Sequence, residues 1–468
     1  MRTNREVLAI SVNNYDCNDN ISFKRTLKPL DVWGLALGSI IGWGCFVLPS
    51  SFLTKAGPLG TAIGVIIGGI IISLIAINYG YLIKEYPVAG GEYFYVLKLF
   101  GKKHAFLCGW LLILAYISII SLNATALGMI GRYLFPGIIQ KGFLYNIAGW
   151  QVYAGEIAVA IVFIVLFAIF NIRGAKIAGW IQKAIVIILV GSVLIITIET
   201  LLSGVEINNF NPPFAMGKSS ISSIASIVAM SPWLYIGFDC IPQAAEEYNF
   251  SAKKSVLILL VAIFFGAFIY ISLTFITAAP MQWQLFLSKN SMWATGEAVS
   301  IIMGRVGLVI LGISMFCAVI SGINGFYIAT SRLIYSMAQN KALPNKYAKI
   351  DSKFFTPKNS ILFIMCVSVI APFLGREVLS WIVDATSVSA AVAYMYTSLC
   401  VVKLTKKTSN RMKHIIGIIG TAVSIIFIIL LLIPGMPGAL SWQSFAILIL
   451  WCILGIRFYL KVKTEYLK

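Results

Sequence analysis

Two short stretches combine residue types that a continuous apolar helix has no reason to use. They are Gly38-Ser39-Ile40-Ile41-Gly42-Trp43-Gly44-Cys45-Phe46 and Tyr235-Ile236-Gly237-Phe238-Asp239-Cys240-Ile241-Pro242, each inside a long apolar run. Glycine weakens a helix by about 1 kcal/mol relative to alanine, and proline removes a backbone donor. In hydrocarbon, an interrupted helix leaves main-chain groups unpaired, which is tolerable only where they line a cavity or meet a ligand. The chemistry open to such breaks is recognition by bare peptide dipoles. A half-helix starting near Gly44 would aim free N–H groups at a carboxylate. The half-helix ending near Ile40 would offer carbonyls to an ammonium. The second stretch would end one half-helix near Gly237 and begin the next near Pro242, a residue suited to a first turn. Ile40, Gly42, Trp43, Gly44, Cys45, Tyr235, Gly237, Phe238 and Asp239 are therefore the candidate substrate-binding residues. Their expected ligand is a small zwitterion or organic cation.

The elements that must position these stretches follow from composition. Of 468 residues, 59% are hydrophobic and 11% charged, which excludes an ordinary soluble domain. The net charge of +19 lies in short clusters between apolar runs, a topology signal rather than a nucleic-acid footprint. Runs of about 20 apolar residues predict twelve membrane segments. These are 29–54, 59–82, 104–133, 153–171, 177–203, 219–248 (broken), 252–279, 305–338, 359–375, 378–402, 414–433 and 440–460. Only Lys55, Arg132, Lys141, Lys218, Lys289, Arg305 and Arg376, seven of the 36 basic residues, fall on the side opposite the N-terminus. The excess predicts a multi-pass cell-membrane protein with both termini cytoplasmic. Residues 1–28 read as a cytoplasmic tail, because no apolar core precedes a small-residue cleavage site. Residues 461–468 read as a second tail.

Segments 1 and 6 run in opposite directions, and each opens a set of five. Matched interruptions in two halves are the pattern of an inverted repeat. The expected organisation is 29–203 and 219–402 as the two repeats, with 414–460 appended. The expected fold class is an all-α polytopic protein with helices 1 and 6 broken. The alternative reading of the two breaks is helix packing by small residues.

Other polar residues at membrane depth are candidates for supporting roles. Asp239 could act on substrate or cap neighbouring backbone N–H groups. Asp384 could bind an amine, carry a proton or pair with Arg376. Ser321, beside Gly322, could complete an ion site with segment-1 carbonyls. Asn123 could reach the pocket or bond between helices. Tyr93 and Tyr95, after Gly90-Gly91, could plug the cytoplasmic path, and Glu246 and Glu247 could be gate residues or a solvated helix end. Phe238 could be a lid over the substrate or ordinary packing. Cys45 and Cys240 each fall in a break, as thiols near the cavity or as small buried hydrophobes. The eight cysteines are scattered and there are two histidines, so no metal site or disulfide framework is expected.

Four motifs in order then resemble the amino acid–polyamine–organocation superfamily. They are the segment-1 glycine stretch, Pro87-Val88-Ala89-Gly90-Gly91-Glu92-Tyr93-Phe94-Tyr95, the run Gly237–Glu247, and Ser331–Ala338 followed by Leu343-Pro344. The resemblance covers about 30 to 460. It implies the leucine-transporter fold, alternating access, and a substrate between segments 1, 3, 6, 8 and 10. Trp43 departs from the family's usual serine or threonine, and should narrow the pocket or stack on a cation. Some members carry a lysine midway along segment 5 in place of sodium; the matching place here is Leu189.

These readings predict a secondary transporter of an amino acid or related small amine, working by proton symport, sodium symport or exchange, with H+ or Na+ as the possible coupling ion and no cofactor. The alternative is a transport-fold receptor or scaffold that binds without turnover. An intramembrane enzyme would need a nucleophile and base or a metal set at mid-depth, and the sequence offers neither. The expected partners are the substrate and the bilayer, with no nucleic acid.

Overall fold

The computed structural model describes residues 22–135, 137–289, 291, 293–406, 410–436 and 438–467. It is an all-α bundle with one small hairpin. Among the described residues, nine helices are long and apolar enough to cross a membrane. Neither of the two segments read as broken is among them, because neither is a continuous helix.

The first segment divides into α1 (Pro29–Ile40) and the single turn α2 (Gly44–Val47), with residues 41–43 unwound between them. α3 (Pro49–Glu85) carries the chain onward through a bend at Gly57, where φ is 72°. The amphipathic α4 (Gly91–Phe100) precedes the long α5 (Lys102–Leu134). The hairpin β1 (Phe143–Ile147) and β2 (Trp150–Tyr153) joins α5 to α6 (Ala154–Ile172) and α7 (Ala175–Leu202). The sixth segment is three short pieces: α8 (Ser220–Val228), α9 (Ser231–Leu234) and α10 (Cys240–Gln243). Then come α11 (Ser255–Ala278), α12 (Trp283–Ser288) and α13 (Ala294–Gln339), which bends at Gly304. α14 (Lys358–Ile370) and α15 (Gly375–Thr405) meet at a 3-10 turn, Ala371–Leu374. α16 (Arg411–Leu432) and α17 (Trp442–Leu467) complete the chain.

Several elements differ from the sequence reading. The hairpin, α4 and α12 lie in stretches too short or too polar to score as spans. The N-terminal part of α13, residues 294–303, extends a segment expected to start at 305. Residues 461–467 are not a loose tail: they continue α17, and the buried Tyr466 hydroxyl donates to the Lys102 carbonyl at 2.8 Å. Of the N-terminal tail, 1–21 lies outside the described residues. Residues 22–28 are packed, with Phe23 and Leu27 buried.

A buried amide network ties the core together where segments 1, 4, 5 and 8 meet. Asn324 on α13 accepts from Asn171 of α6 at 2.9 Å. Its own amide donates to the Ala178 carbonyl and to Gln182 Oε1 at 3.1 and 2.8 Å. Gln182 in turn donates to the Gly34 carbonyl of α1 at 3.1 Å. A buried amide that loses its partners pays its full desolvation, about 1–3 kcal/mol. Asn324→Leu should therefore lower the thermal midpoint of the purified protein by several degrees in a detergent melt. An unchanged midpoint would show that the network does not secure the four helices.

Candidate functional site

The two interruptions meet, and the reason is a missing side chain. Gly237 holds φ at 122°, a conformation L side chains rarely adopt. A Cβ on Gly237 would sit 2.6 Å from the Ser39 carbonyl oxygen and 2.7 Å from the Ile40 nitrogen. The segment-6 loop thus lies directly against the end of α1.

The two breaks handle their main chain differently. In the first, the N–H groups of Gly42, Trp43 and Gly44 donate to no acceptor among the described residues. The carbonyls of Ser39, Ile40 and Ile41 likewise accept from no donor there. In the second, the main chain is largely paired. The carbonyls of Tyr235, Gly237 and Phe238 accept from Phe238, Cys240 and Ile241 in successive i→i+3 turns. Tight turns thus consume the Tyr235, Gly237 and Phe238 carbonyls, while the Ile236 carbonyl, beside Gly237, accepts from no donor among the described residues. Asp239 supplies the remaining acceptor. Its Oδ1 takes the Gly237 N–H at 2.7 Å, and its Oδ2 takes the Tyr116 hydroxyl of α5 at 2.8 Å. The fully buried Asp239 thus shapes its own loop and moors it to segment 3.

A cavity of about 40 Å3 lies in the first break. Ile40, Gly42, Trp43 and Gly44 line it, as expected; Asn123, Trp233 and Ile236 join them. The other candidates surround this space without lining it. Cys45 donates its thiol to the Gly42 carbonyl at 3.1 Å. The Tyr235 hydroxyl donates to the Val65 carbonyl at 2.7 Å, stapling the loop to α3. Phe238 is buried between Tyr79 and Tyr394, with ring centroids 5.2 and 5.3 Å away.

A second chamber of about 280 Å3 lies beyond Trp43, toward the end of the bundle opposite residues 22–28. Trp43, Trp233, Leu122 and Val383 line both spaces and form the wall between them. The two indoles meet edge to face at 6.5 Å. Trp43 also stacks on a cation, the guanidinium of Arg376 at 4.2 Å. Lys55 and Asp384 both face the larger chamber. Asp384 does not pair with Arg376: the ion pairs among the described residues are Arg132–Glu156, Lys183–Asp31 and Arg332–Glu247.

Ser321 donates to the Gly38 carbonyl at 2.8 Å, so segments 8 and 1 meet where the ion site was expected. The segment-5 side chains that reach segment 1 are Gln182, on the Gly34 carbonyl, and Lys183, on Asp31. The place counted from the sequence, Leu189, instead takes the Ser314 hydroxyl on its carbonyl. The offset of seven residues from Gln182 is two helical turns, so both face the same way and spacing alone could not choose between them.

At the end nearer residues 22–28, the path from the break is shut by several layers. Arg332 of α13 grips Glu247 through Nε and Nη2 at 2.6 and 3.2 Å, with both side chains 1% exposed. The Glu247 carbonyl also accepts the N–H groups of Thr26 and Leu27. Glu246, the expected gate residue, accepts the Ala89 N–H at 3.1 Å. Tyr93 is buried and meets the Tyr466 hydroxyl at 3.3 Å. The sequence reading singled out Glu246 and Glu247 but not Arg332, the one arginine in an otherwise uncharged run from Gly307 to Asn340.

The amino acid permease family model matches residues 27–458. The methylthioribose transporter of Bacillus subtilis (strain 168) is 27% identical over 459 residues, covering 94% of this chain and 93% of that protein. The branched-chain amino acid permease of the same organism is 23% identical, over 96% and 95%. Its aspartate-proton symporter is 28% identical, over 85% and 76%.

Two outcomes follow from the geometry. A Cβ at Gly44 would stand 2.5 Å from the Trp233 ring. Gly44→Val should abolish ligand binding, read by thermal shift, in a protein that still inserts and purifies; retained wild-type affinity would contradict the pocket. Arg332→Ala leaves Glu247 buried without its cation, a loss of about 3–5 kcal/mol for a buried pair. It should expose Cys240, now fully buried, to a water-soluble thiol reagent, measured against a Cys240→Ala control. Unchanged labelling would mean that the ion pair closes nothing.

Proposed function

The chain belongs to the amino acid permease family, within the amino acid–polyamine–organocation superfamily, and from that premise we propose that it is a secondary active transporter of an amino acid or related small amine. It is a multi-pass membrane transporter and not an enzyme. The observation that carries the finer reading is the run of unpaired main-chain groups from Ser39 to Gly44, enclosed by protein at the meeting point of the two breaks.

A substrate carboxylate would take the N–H groups of Gly42, Trp43 and Gly44. Its ammonium would take the carbonyls of Ser39 to Ile41. Asn123, whose Oδ1 is buried without a donor, is positioned for a further contact. Side-chain selectivity would come from Trp43, Trp233 and Ile236. The cavity of about 40 Å3 is smaller than an amino acid, so substrate entry would require Trp43 to swing from Trp233 and Arg376.

Alternating access would then work by two unequal barriers. Toward the larger chamber the barrier is one indole pair. Toward residues 22–28 it is the Glu247–Arg332 pair, α4 and the tail. With both termini cytoplasmic and twelve spans in a five-plus-five repeat, the larger chamber is the extracellular vestibule and the thick barrier the cytoplasmic gate. Proton coupling is favoured over sodium. Glu92, fully buried, takes a hydrogen bond from Gln243 at 2.6 Å and has no cation partner among the described ion pairs. Burial without a cation raises the pKa of the Glu92 carboxyl, which favours its taking a proton.

Uptake into proteoliposomes tests the proposal. Saturable accumulation of at least one amino acid or small amine, driven by an inward proton gradient and unaffected by sodium, is expected. Binding without flux for every such compound would overturn transport in favour of a receptor. Sodium-driven flux indifferent to pH would overturn the choice of ion.

A further inference from the structure

A third cavity, of about 240 Å3, lies apart from the transport path between α3, α11, α15 and α16. Three lysines from three different elements stand around it: Lys84 near the end of α3, Lys253 in the turn before α11, and Lys413 in the first turn of α16. No carboxylate lines the space; the nearest acidic residue in the chain, Glu85, is exposed. None of the three lysines belongs to an ion pair among the described residues. Lys413 Nζ sits 4.2 Å from the centre of the Tyr81 ring, which holds its charge at the cavity edge. Three like charges gathered around one space repel each other, and an anion placed between them removes that penalty.

The walls say what kind of anion. Apart from the lysines, the lining is Ile77, Tyr81, Val256, Val401 and Ile416 with the small Gly80, and its one amide, Asn78, is already bonded to Ser398 and to the Ile416 carbonyl. Immediately beyond the lysines the carrying helices present bare apolar side chains. Leu257 of α11 is 65% exposed, and Ile415 and Ile418 of α16 are 46% and 48% exposed. A free phosphate gains nothing from such surfaces, whereas acyl chains lie along them. The cavity also sits at the basic end of the bundle, the side where anionic lipid headgroups attract lysine.

We propose that this cavity is a binding site for the phosphate headgroup of an anionic phospholipid, with Lys84, Lys253 and Lys413 as its ligands and α11 and α16 as the seat of its chains. The site bridges helices of both halves and the appended α16, so an occupied site would brace α3 against α11 and α16.

The test uses the full-length protein in detergent with phosphatidylglycerol, phosphatidylcholine or inorganic phosphate added, reading the melting temperature and the phospholipid retained. Phosphatidylglycerol should stabilise the wild type more than phosphatidylcholine. The triple variant Lys84→Gln, Lys253→Gln, Lys413→Gln should lose that difference, with apparent affinity lower by about tenfold or more on removal of three charges at a lipid site. The variant Lys141→Gln, Lys218→Gln, Lys289→Gln, three exposed lysines at the far end, should keep it. An unchanged preference in the first variant overturns the site, and so does its loss in both variants. Inorganic phosphate matching the effect of phosphatidylglycerol would overturn the lipid assignment in favour of a small-anion site.

Discussion

Everything in this molecule turns on main-chain groups that have no partner. Hydrocarbon does not forgive them, so the three unwound residues after Ile40 must be enclosed by other helices. The enclosure is made by close approach rather than by charge. Gly237 lets one loop touch the end of α1, Gly38 lets Ser321 reach its carbonyl, and Gly44 leaves room for the Trp233 ring. Each contact brings a different helix against the same few peptides. The result is a small hollow walled mostly by apolar side chains, with the bare peptides and Asn123 among its polar groups.

The two breaks divide the labour. The first keeps its amides and carbonyls open, and the second spends most of its own on tight turns and on Asp239. Asp239 is thus a scaffold for the loop: it caps Gly237 and ties the loop to Tyr116. The segment-6 loop is therefore held in its shape from within and moored to α5 and α3. The two ends of the path are also unequal. A single indole, pinned between Trp233 and Arg376, divides the hollow from the larger chamber. A buried ion pair, a helix and residues 22–28 pack over the other end. Unequal barriers suit a proposed cycle in which one side opens by a side-chain swing and the other by rearrangement of packed segments.

Much of this was legible in the residues. Glycine and proline inside apolar runs marked both interruptions, and the apolar lengths marked most helix ends to within a few residues. The segment-1 residues that line the small cavity, Ile40, Gly42, Trp43 and Gly44, were singled out the same way, because backbone conformation is what glycine spacing encodes. The segment-6 residues were harder. Tyr235, Phe238 and Asp239 sit in the break but turn away from the hollow, and which way a side chain points in a non-helical loop is set by its neighbours in space. Arg332 and Arg376 were hidden for the same reason: their partners, Glu247 and Trp43, lie 85 and 333 positions away in the chain. The hairpin and α4 were missed because neither is apolar enough to register beside membrane helices.

The most direct measurement is an experimental structure of the purified protein with a transported amino acid bound. The account predicts the ligand's carboxylate within hydrogen-bonding distance of the N–H groups of Gly42 to Gly44, and its ammonium against the carbonyls of Ser39 to Ile41. A ligand resting in the larger chamber on Lys55 and Asp384, with those peptides still unpaired, would contradict it.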